Sequence, residues 1–251
     1  MTDHIQQKNT VPYKEIIVFY SIACGFSWPF FAWRDLFPQD WKDFGFEYKN
    51  MLYMWGPAVS AIICFYIFRK SHQRTILFFG TSIIKSLAFY LLPIFIWAIS
   101  MYFLPSEKDL TFPKLMLLSF TGFLMILGEE LGWRGFLQDS LRNVKEPKRW
   151  IILGIMWEMW HFTRGLTEGS LSQLIVRKVI LLVFVLILAY VIGKLTDRTR
   201  SLMVAITLHA WFNILFETPV LSTYVAMAAN VVLWFLMLRK WKAPTVSSHQ
   251  D

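Results

Sequence analysis

Apolar residues occur in long blocks along this chain, separated by shorter stretches that hold most of the charged positions. A helix needs about 20 apolar residues to cross the ~30 Å hydrocarbon core of a bilayer. The blocks show no polar/apolar alternation, and within lipid only helices or closed barrels satisfy the backbone hydrogen bonds. The pattern therefore predicts an all-α, polytopic transmembrane bundle of about eight helices. The predicted spans are Tyr13–Trp33, Met51–Phe68, Ile83–Leu104, Leu115–Leu137, Trp150–Thr163, Val179–Lys194, Leu202–Phe216 and Leu221–Leu238.

Composition agrees with a membrane protein. Of the 251 residues, 56% are hydrophobic and only 17% are charged, which is less charge than a soluble domain of this length carries. We find no repeat and no soluble domain, so residues 1–251 are expected to form a single membrane domain. The first apolar block lacks a small-x-small cleavage site and is interpreted as a retained helix. Cys24 and Cys64 lie in separate blocks, which argues against both a disulfide framework and a metal cluster.

The net charge of +8 is explained by membrane topology rather than by nucleic-acid binding. With eight spans, both termini share a side with the loops after spans 2, 4 and 6. That side holds fifteen lysines and arginines, against eight on the other. The positive-inside rule therefore predicts cytoplasmic termini. Because no eukaryotic sorting signal is found, we expect a multi-pass protein of a bacterial plasma membrane.

Ionisable residues are concentrated in three of the eight predicted spans. Each costs about 2.5–3.5 kcal/mol on insertion scales, so each is a functional candidate. Spans 4, 5 and 7 carry the set, which comprises Glu129, Glu130, Arg134, Glu158, His161, His209 and the amide of Asn213.

Helix geometry separates the roles of these residues. Glu130 and Arg134 are four apart, in the favourable order for an ion pair on one helix face. Glu129 lies about 100° around the helix from Glu130 and faces something else. His209 and Asn213 also share a face. At 1.5 Å per residue, Glu129, His161 and His209 fall within one band of depth, so we expect them to meet.

Structural explanations exist for each residue taken alone. A lone membrane histidine usually makes an interhelical hydrogen bond, and an isolated Glu/Arg pair is usually structural. We interpret Trp150, Trp157, Trp160 and Trp211 as packing or interfacial residues. Together, however, one carboxylate, two imidazoles and an amide supply a general base and oxyanion donors, which favours catalysis. A proton-coupled transporter and a non-catalytic membrane immunity protein are the alternatives.

These motifs resemble those of a known family. The run Glu-Glu-x-x-x-Arg at residues 129–134, an aromatic-x-x-x-His ending at His161, and the His-x-x-x-Asn at residues 209–213 occur in this order. They are similar to the three motifs of the CAAX protease and bacteriocin-processing (Abi) family of intramembrane endopeptidases, which includes the Ras-converting CAAX endopeptidase. The resemblance covers about residues 115–217, which we take as the catalytic core.

The resemblance implies roles by position. Glu129 and His161 would activate the attacking water, and His209 and Asn213 would hold the oxyanion. Glu130 and Arg134 would support them. Trp157 stands where the family pattern most often has Phe, and we expect it to preserve an aromatic wall. Two roles are open for Glu158: raising the pKa of the His161 imidazole or pairing with a basic group.

The resemblance leaves the metal and the substrate open. We expect no cofactor, because asparagine is a poor zinc ligand but a good oxyanion donor. Zinc is the alternative, and its ligands would then be Glu129, His161 and His209. The expected partners are the lipid bilayer and a peptide or membrane-protein substrate, with no nucleic acid. A prenylated CAAX peptide, a bacteriocin or signal-peptide leader, and a membrane-protein segment all fit.

Overall fold

The computed structural model describes residues 11–32, 42–43, 46–105, 111–163 and 169–241. The predicted end of the first span, Trp33, lies outside the described residues. So do five of the charges used to orient the chain, namely Lys8, Arg34, Lys108, Arg164 and Lys242.

The described residues are mainly helical, which confirms the all-α prediction. The helices are α1 (Tyr13–Ala32), α2 (Tyr48–Met54), α3 (Gly56–Ile67), α4 (Ile83–Phe103), α5 (Phe112–Gly132), α6 (Lys148–Trp160), α7 (Leu171–Thr199), α8 (Leu202–Glu217) and α9 (Leu221–Arg239). A π-helical turn, Trp133–Gln138, continues α5, and a 3-10 turn, His161–Thr163, follows α6. Two short strands, β1 (Lys42–Asp43) and β2 (Phe46–Glu47), pair antiparallel.

Each predicted span coincides with helix, but the spans differ in length. Within the described residues, four helical segments are long and apolar enough to cross a membrane by length and composition. They are Ile83–Phe103, Phe112–Gln138, Leu171–Thr199 and Leu221–Arg239. Met51–Ile67 and Leu202–Glu217 are shorter apolar helices. Helix α6 has 13 residues and is therefore only about 20 Å long. The chain is a multi-pass membrane protein.

The chain divides into two compact units, and each is described by itself. The first unit comprises residues 1–75 and 124–193, and the second comprises residues 76–123 and 194–251. The prediction that residues 1–251 form one domain with a catalytic core at 115–217 stays a prediction.

Two glycines allow α5 to approach the α2/α3 junction closely in the first unit. A Cβ atom on Gly128 would lie 2.7 Å from the Met54 carbonyl oxygen, and one on Gly132 would lie 2.4 Å from the Pro57 side chain. Larger residues at either position would push the helices apart. Because Glu129 lies between these glycines in sequence, the close approach also fixes the position of Glu129 and Glu130 relative to α3.

A proline determines how α4 and α9 pair in the second unit. Pro93 lies inside α4 and has no N–H to donate to the carbonyl of Phe89, four residues earlier. The indole N–H of Trp234 on α9 donates to that carbonyl at 3.3 Å, and the Trp234 ring stacks on Phe89. Farther along the pair, the Ser100 hydroxyl donates to the Ser222 carbonyl at 2.7 Å. These bonds satisfy polar groups that lipid would leave without partners.

The start of α8, which carries two site candidates, is also fixed within the second unit. The Ser201 hydroxyl accepts a hydrogen bond from the Val204 N–H as an N-cap. Leu77 flanks this turn through backbone hydrogen bonds with Arg200 and Leu202. Gly80, at a φ of +58°, lets the chain pass beside the Thr199 carbonyl.

A buried histidine in the loop after α3 links this loop to α1 in the first unit. His72 Nδ1 lies 3.0 Å from a Glu15 carboxylate oxygen, and the imidazole stacks on Phe136 with 4.3 Å between ring centroids. The Ser71 hydroxyl donates to the other Glu15 oxygen. Burial lowers the pKa of His72 below its usual value, and the Glu15 carboxylate offsets only part of this effect. The neutral imidazole is therefore favoured.

Acidification should destabilise the protein through His72. The unfolded chain has the higher histidine pKa, about 6.5, so the contribution to stability is complete above that pH and declines as the pH falls toward the folded pKa. We expect melting temperatures to fall between about pH 8 and about pH 5. His72→Gln, which keeps a donor for Glu15 but cannot titrate, should show a smaller fall. Equal slopes for both proteins would refute this assignment.

Candidate active site

The end of α5 brings three motif residues into the interior of the first unit. Glu129, Glu130 and Arg134 are all buried. The predicted ion pair forms, with 3.3 Å between Arg134 Nε and Glu130 Oε2. The π-helical turn begins immediately after Gly132, so Arg134 lies in a wider helical turn than the acids. Such turns are frequent at functional sites.

Glu129 faces α6, as the helix geometry requires once Glu130 is paired. The Trp157 indole N–H donates to Glu129 Oε2 at 2.8 Å, and both side chains are buried. The Arg134 guanidinium lies over the Trp157 ring, 4.5 Å from its centroid. Trp157 therefore contacts both Glu129 and the cation of the Glu130–Arg134 pair.

The last turn of α6 is held by side chains from α1 and α2. The Tyr20 hydroxyl donates to the Met156 carbonyl at 3.0 Å. The Trp160 carbonyl accepts from Trp28 Nε1 at 3.0 Å and from the Tyr53 hydroxyl at 3.1 Å. Carbonyls at a helix C-terminus lack partners within the helix, so these donors replace water. The α-helix ends at Trp160, and His161 follows in the 3-10 turn rather than within the helix.

His161 is held at both its ring and its main chain. Its Nδ1 lies 3.0 Å from the Trp157 carbonyl oxygen. Lys178 on α7 donates to the His161 carbonyl at 2.7 Å and lies 3.7 Å from Glu158. Of the two roles left open for Glu158, the structure therefore shows pairing with a basic group. A lysine at this end of α6 is also favourable for the helix dipole.

The remaining two candidates lie on α8 in the second unit. His209 is buried and Asn213 is half-buried, one helical turn farther along. Between them, Trp211 packs edge-on against Trp97 of α4 at 5.6 Å and against Trp234 of α9 at 6.3 Å. His209 and Asn213 therefore lie on a helix that packs against α4 and α9 through Trp211.

The structure places the predicted site residues in two groups. Glu129 and His161 both contact Trp157 in the first unit, and His209 and Asn213 share α8 in the second. The convergence of all four stays a prediction. Sequence reasoning missed the support that Trp157, Tyr53 and Lys178 provide. The only sequence signal was tryptophan in place of phenylalanine at residue 157, and we interpreted it as packing alone.

Fold and site together define a class of protein. It is a helical multi-pass membrane protein with a buried acid, a buried histidine and a buried ion pair. Residues 111–215 match the family model described as "Rce1-like: Type II CAAX prenyl endopeptidase Rce1-like". This match confirms the resemblance to the CAAX protease family and covers all three motifs. No curated protein matches the chain. The matched description is that of an endopeptidase, which supports protease activity in general.

The zinc alternative concerns residues of both units. Its three ligands would be Glu129 and His161 from the first unit and His209 from the second. Within either unit, no group of three or more His, Cys, Asp or Glu side chains among the described residues could hold a metal ion. The Trp157 carbonyl accepts from His161 Nδ1, so a metal or a water at this residue would have to be bound through Nε2.

Proposed function

We propose that this protein is an intramembrane endopeptidase that hydrolyses a peptide bond of a membrane-associated peptide or protein. The observation that carries the proposal is that Glu129 and His161 each hydrogen-bond to Trp157, inside a segment that matches a family model of endopeptidases. A buried carboxylate and a buried imidazole are costly in a membrane protein, and their presence therefore favours a functional role.

Glu129 is the general base in this proposal. Its carboxylate removes a proton from a water molecule, and the water oxygen then forms a bond to the scissile carbonyl carbon. His161 orients that water. A carbonyl oxygen only accepts hydrogen bonds, so Nδ1 bears the proton that is donated to Trp157, and Nε2 of the neutral ring is free of a proton. Nε2 can therefore accept a hydrogen bond from the water.

The other two residues stabilise the tetrahedral intermediate. His209 and Asn213 donate hydrogen bonds to the carbonyl oxygen as it becomes an oxyanion, which is worth about 3–4 kcal/mol per donor in comparable sites. When the carbon–nitrogen bond breaks, Glu129 returns its proton to the leaving amine. No covalent intermediate is required, because water is the nucleophile throughout.

The substrate class can be tested directly with the full chain in liposomes. We propose a fluorogenic farnesylated CAAX peptide as the first probe, with the same peptide unprenylated and a bacteriocin leader peptide beside it. Cleavage that depends on the farnesyl group would assign a prenylated substrate, whereas cleavage of the leader peptide alone would assign a processing peptidase. If none of the three is cleaved by the wild type, the endopeptidase proposal fails for these classes.

Removal of metal ions provides a separate prediction. If Glu129 and His161 activate water without a metal, 1,10-phenanthroline should leave kcat for the cleaved probe unchanged. A cleavage-dead Glu129→Gln variant, measured alongside, gives the background rate. Loss of activity with the chelator, restored by added zinc, would replace the glutamate mechanism with the zinc alternative at Glu129, His161 and His209.

A further inference from the structure

Trp157 on α6 contacts both members of the proposed water-activating pair, Glu129 through its side chain and His161 through its main chain. We propose that Trp157 is a positioning residue that fixes Glu129 with its side chain and His161 with its main chain. The inference rests on the proposed function, because it assigns a role toward those two groups. It also revises our interpretation of residue 157 as part of an aromatic wall.

The side-chain bond determines the orientation of Glu129. An indole Nε1–H is a donor only, and here it lies 2.8 Å from Oε2, with both residues buried. Hydrogen bonds to a carboxylate are shorter and stronger than those between neutral groups, and low dielectric strengthens them further. The carboxylate is therefore held in one rotamer by a donor that phenylalanine would not supply.

The main-chain bond determines the tautomer of His161. The Trp157 carbonyl accepts from Nδ1 at 3.0 Å, so Nδ1 bears a proton, and in the proposed mechanism the water hydrogen-bonds to Nε2. This bond does not depend on the side chain at residue 157. A substitution there therefore affects Glu129 directly and leaves the tautomer of His161 as it is.

The contact between Trp157 and Arg134 indicates which substitution of Trp157 tests its hydrogen bond to Glu129. The guanidinium lies over the Trp157 ring at 4.5 Å, and a phenylalanine ring can present a face to the same cation. Trp157→Phe thus removes the N–H donor while it keeps an aromatic face for Arg134. The change isolates the hydrogen bond to Glu129 better than alanine, which would also leave a cavity.

The chain offers a closely matched control on the same helix. Trp150 is also buried in α6, and Arg149 lies over its ring at 4.0 Å. Its indole nitrogen, however, has no hydrogen-bond partner among the described residues. Trp150→Phe therefore makes the same chemical change, beside the same kind of cation, without removing a bond to a carboxylate.

Steady-state kinetics of the full chain in liposomes, with the farnesylated CAAX peptide as probe, tests the proposal. Trp157→Phe should lower kcat by about 10- to 100-fold, the loss expected when a catalytic group is misplaced, with KM close to that of the wild type. Trp150→Phe should leave both parameters unchanged. A normal kcat for Trp157→Phe, or equal losses in the two variants, would overturn the positioning role.

Nuclear magnetic resonance of the indole N–H groups gives a readout that does not need cleavage. The Trp157 signal, identified by its absence from Trp157→Phe, should shift when Glu129→Gln removes the carboxylate charge, and the Trp150 signal should not. An unmoved Trp157 signal would show that the bond does not exist in the membrane protein. If the wild type cleaves no probe while this signal moves, the proposed function fails and the contact itself stands.

Discussion

Replacing Glu129 with glutamine should lower kcat by about 10²- to 10⁴-fold, the contribution typical of a general base. The fold should tolerate the change, because the glutamine side-chain oxygen can still accept the Trp157 N–H that now reaches Oε2 at 2.8 Å. Melting temperature and KM should therefore stay near the wild-type values. Turnover of the farnesylated peptide and a melting curve of the same preparation measure both effects.

A control for the loss of one negative charge is available on the same unit. Glu146 has a side chain 41% exposed, in a salt bridge with Arg149. Glu146→Gln should leave kcat unchanged, because this exposed carboxylate is not part of the proposed site. If Glu129→Gln cleaves at a normal rate while Glu130→Gln is stable but inactive, the roles of the two glutamates are exchanged.

The features that sequence predicted are those encoded within one helix. The pairing of Glu130 with Arg134 follows from the helical period, and it persists although a π-helical turn begins between them. The contact of Glu129 with Trp157 of α6, on a different side of the helix from Glu130, agrees with the same period. Each apolar block likewise coincides with helix among the described residues, because a helix satisfies its own backbone hydrogen bonds in lipid.

The features that sequence did not predict depend on contacts between distant segments. Trp157 and Glu129 are 28 residues apart, and the bonds from Trp28 and Tyr53 to the Trp160 carbonyl span more than 100. Each requires helices far apart in sequence to approach closely, and no residue in the sequence identifies the helix that a given side chain will meet. The end of α6 at Trp160 has no glycine or proline signal, so we placed His161 within the helix.

Two sequence predictions concern the surroundings rather than the fold. Cytoplasmic termini and a bacterial plasma membrane stay predictions, because helix packing does not distinguish the two sides of a bilayer.

Convergence of His209 and Asn213 with Glu129 and His161 also stays a prediction. It requires the side-chain polar atoms of all four to lie within about 10 Å of one another, the reach of one substrate and one water.

The second large effect is expected at the ion pair. Glu130→Gln leaves Arg134 as a charge without its carboxylate in an environment where both side chains are fully buried. Breaking a buried pair by removing one partner typically costs about 3–5 kcal/mol, so the variant should accumulate poorly and melt at a markedly lower temperature. Any loss of cleavage should be accompanied by this loss of folded protein, unlike that of Glu129→Gln.

A double-mutant cycle decides whether the charge itself is responsible. Glu130→Gln combined with Arg134→Gln removes both charges of the pair, so it should recover part of the stability that Glu130→Gln loses, and the two changes should be clearly non-additive. Recovery should be incomplete, because the double variant also lacks the guanidinium that lies 4.5 Å over the Trp157 ring. The pair of Glu146 and Arg149, 3.1 Å apart, is the comparison, since its carboxylate is 41% exposed and its arginine likewise lies over a tryptophan. Because solvent reaches this carboxylate, Glu146→Gln should lower stability by less than Glu130→Gln does. Additive losses at Glu130 and Arg134 would mean that each residue supports the fold through other contacts, and that the pair is not the unit holding Trp157.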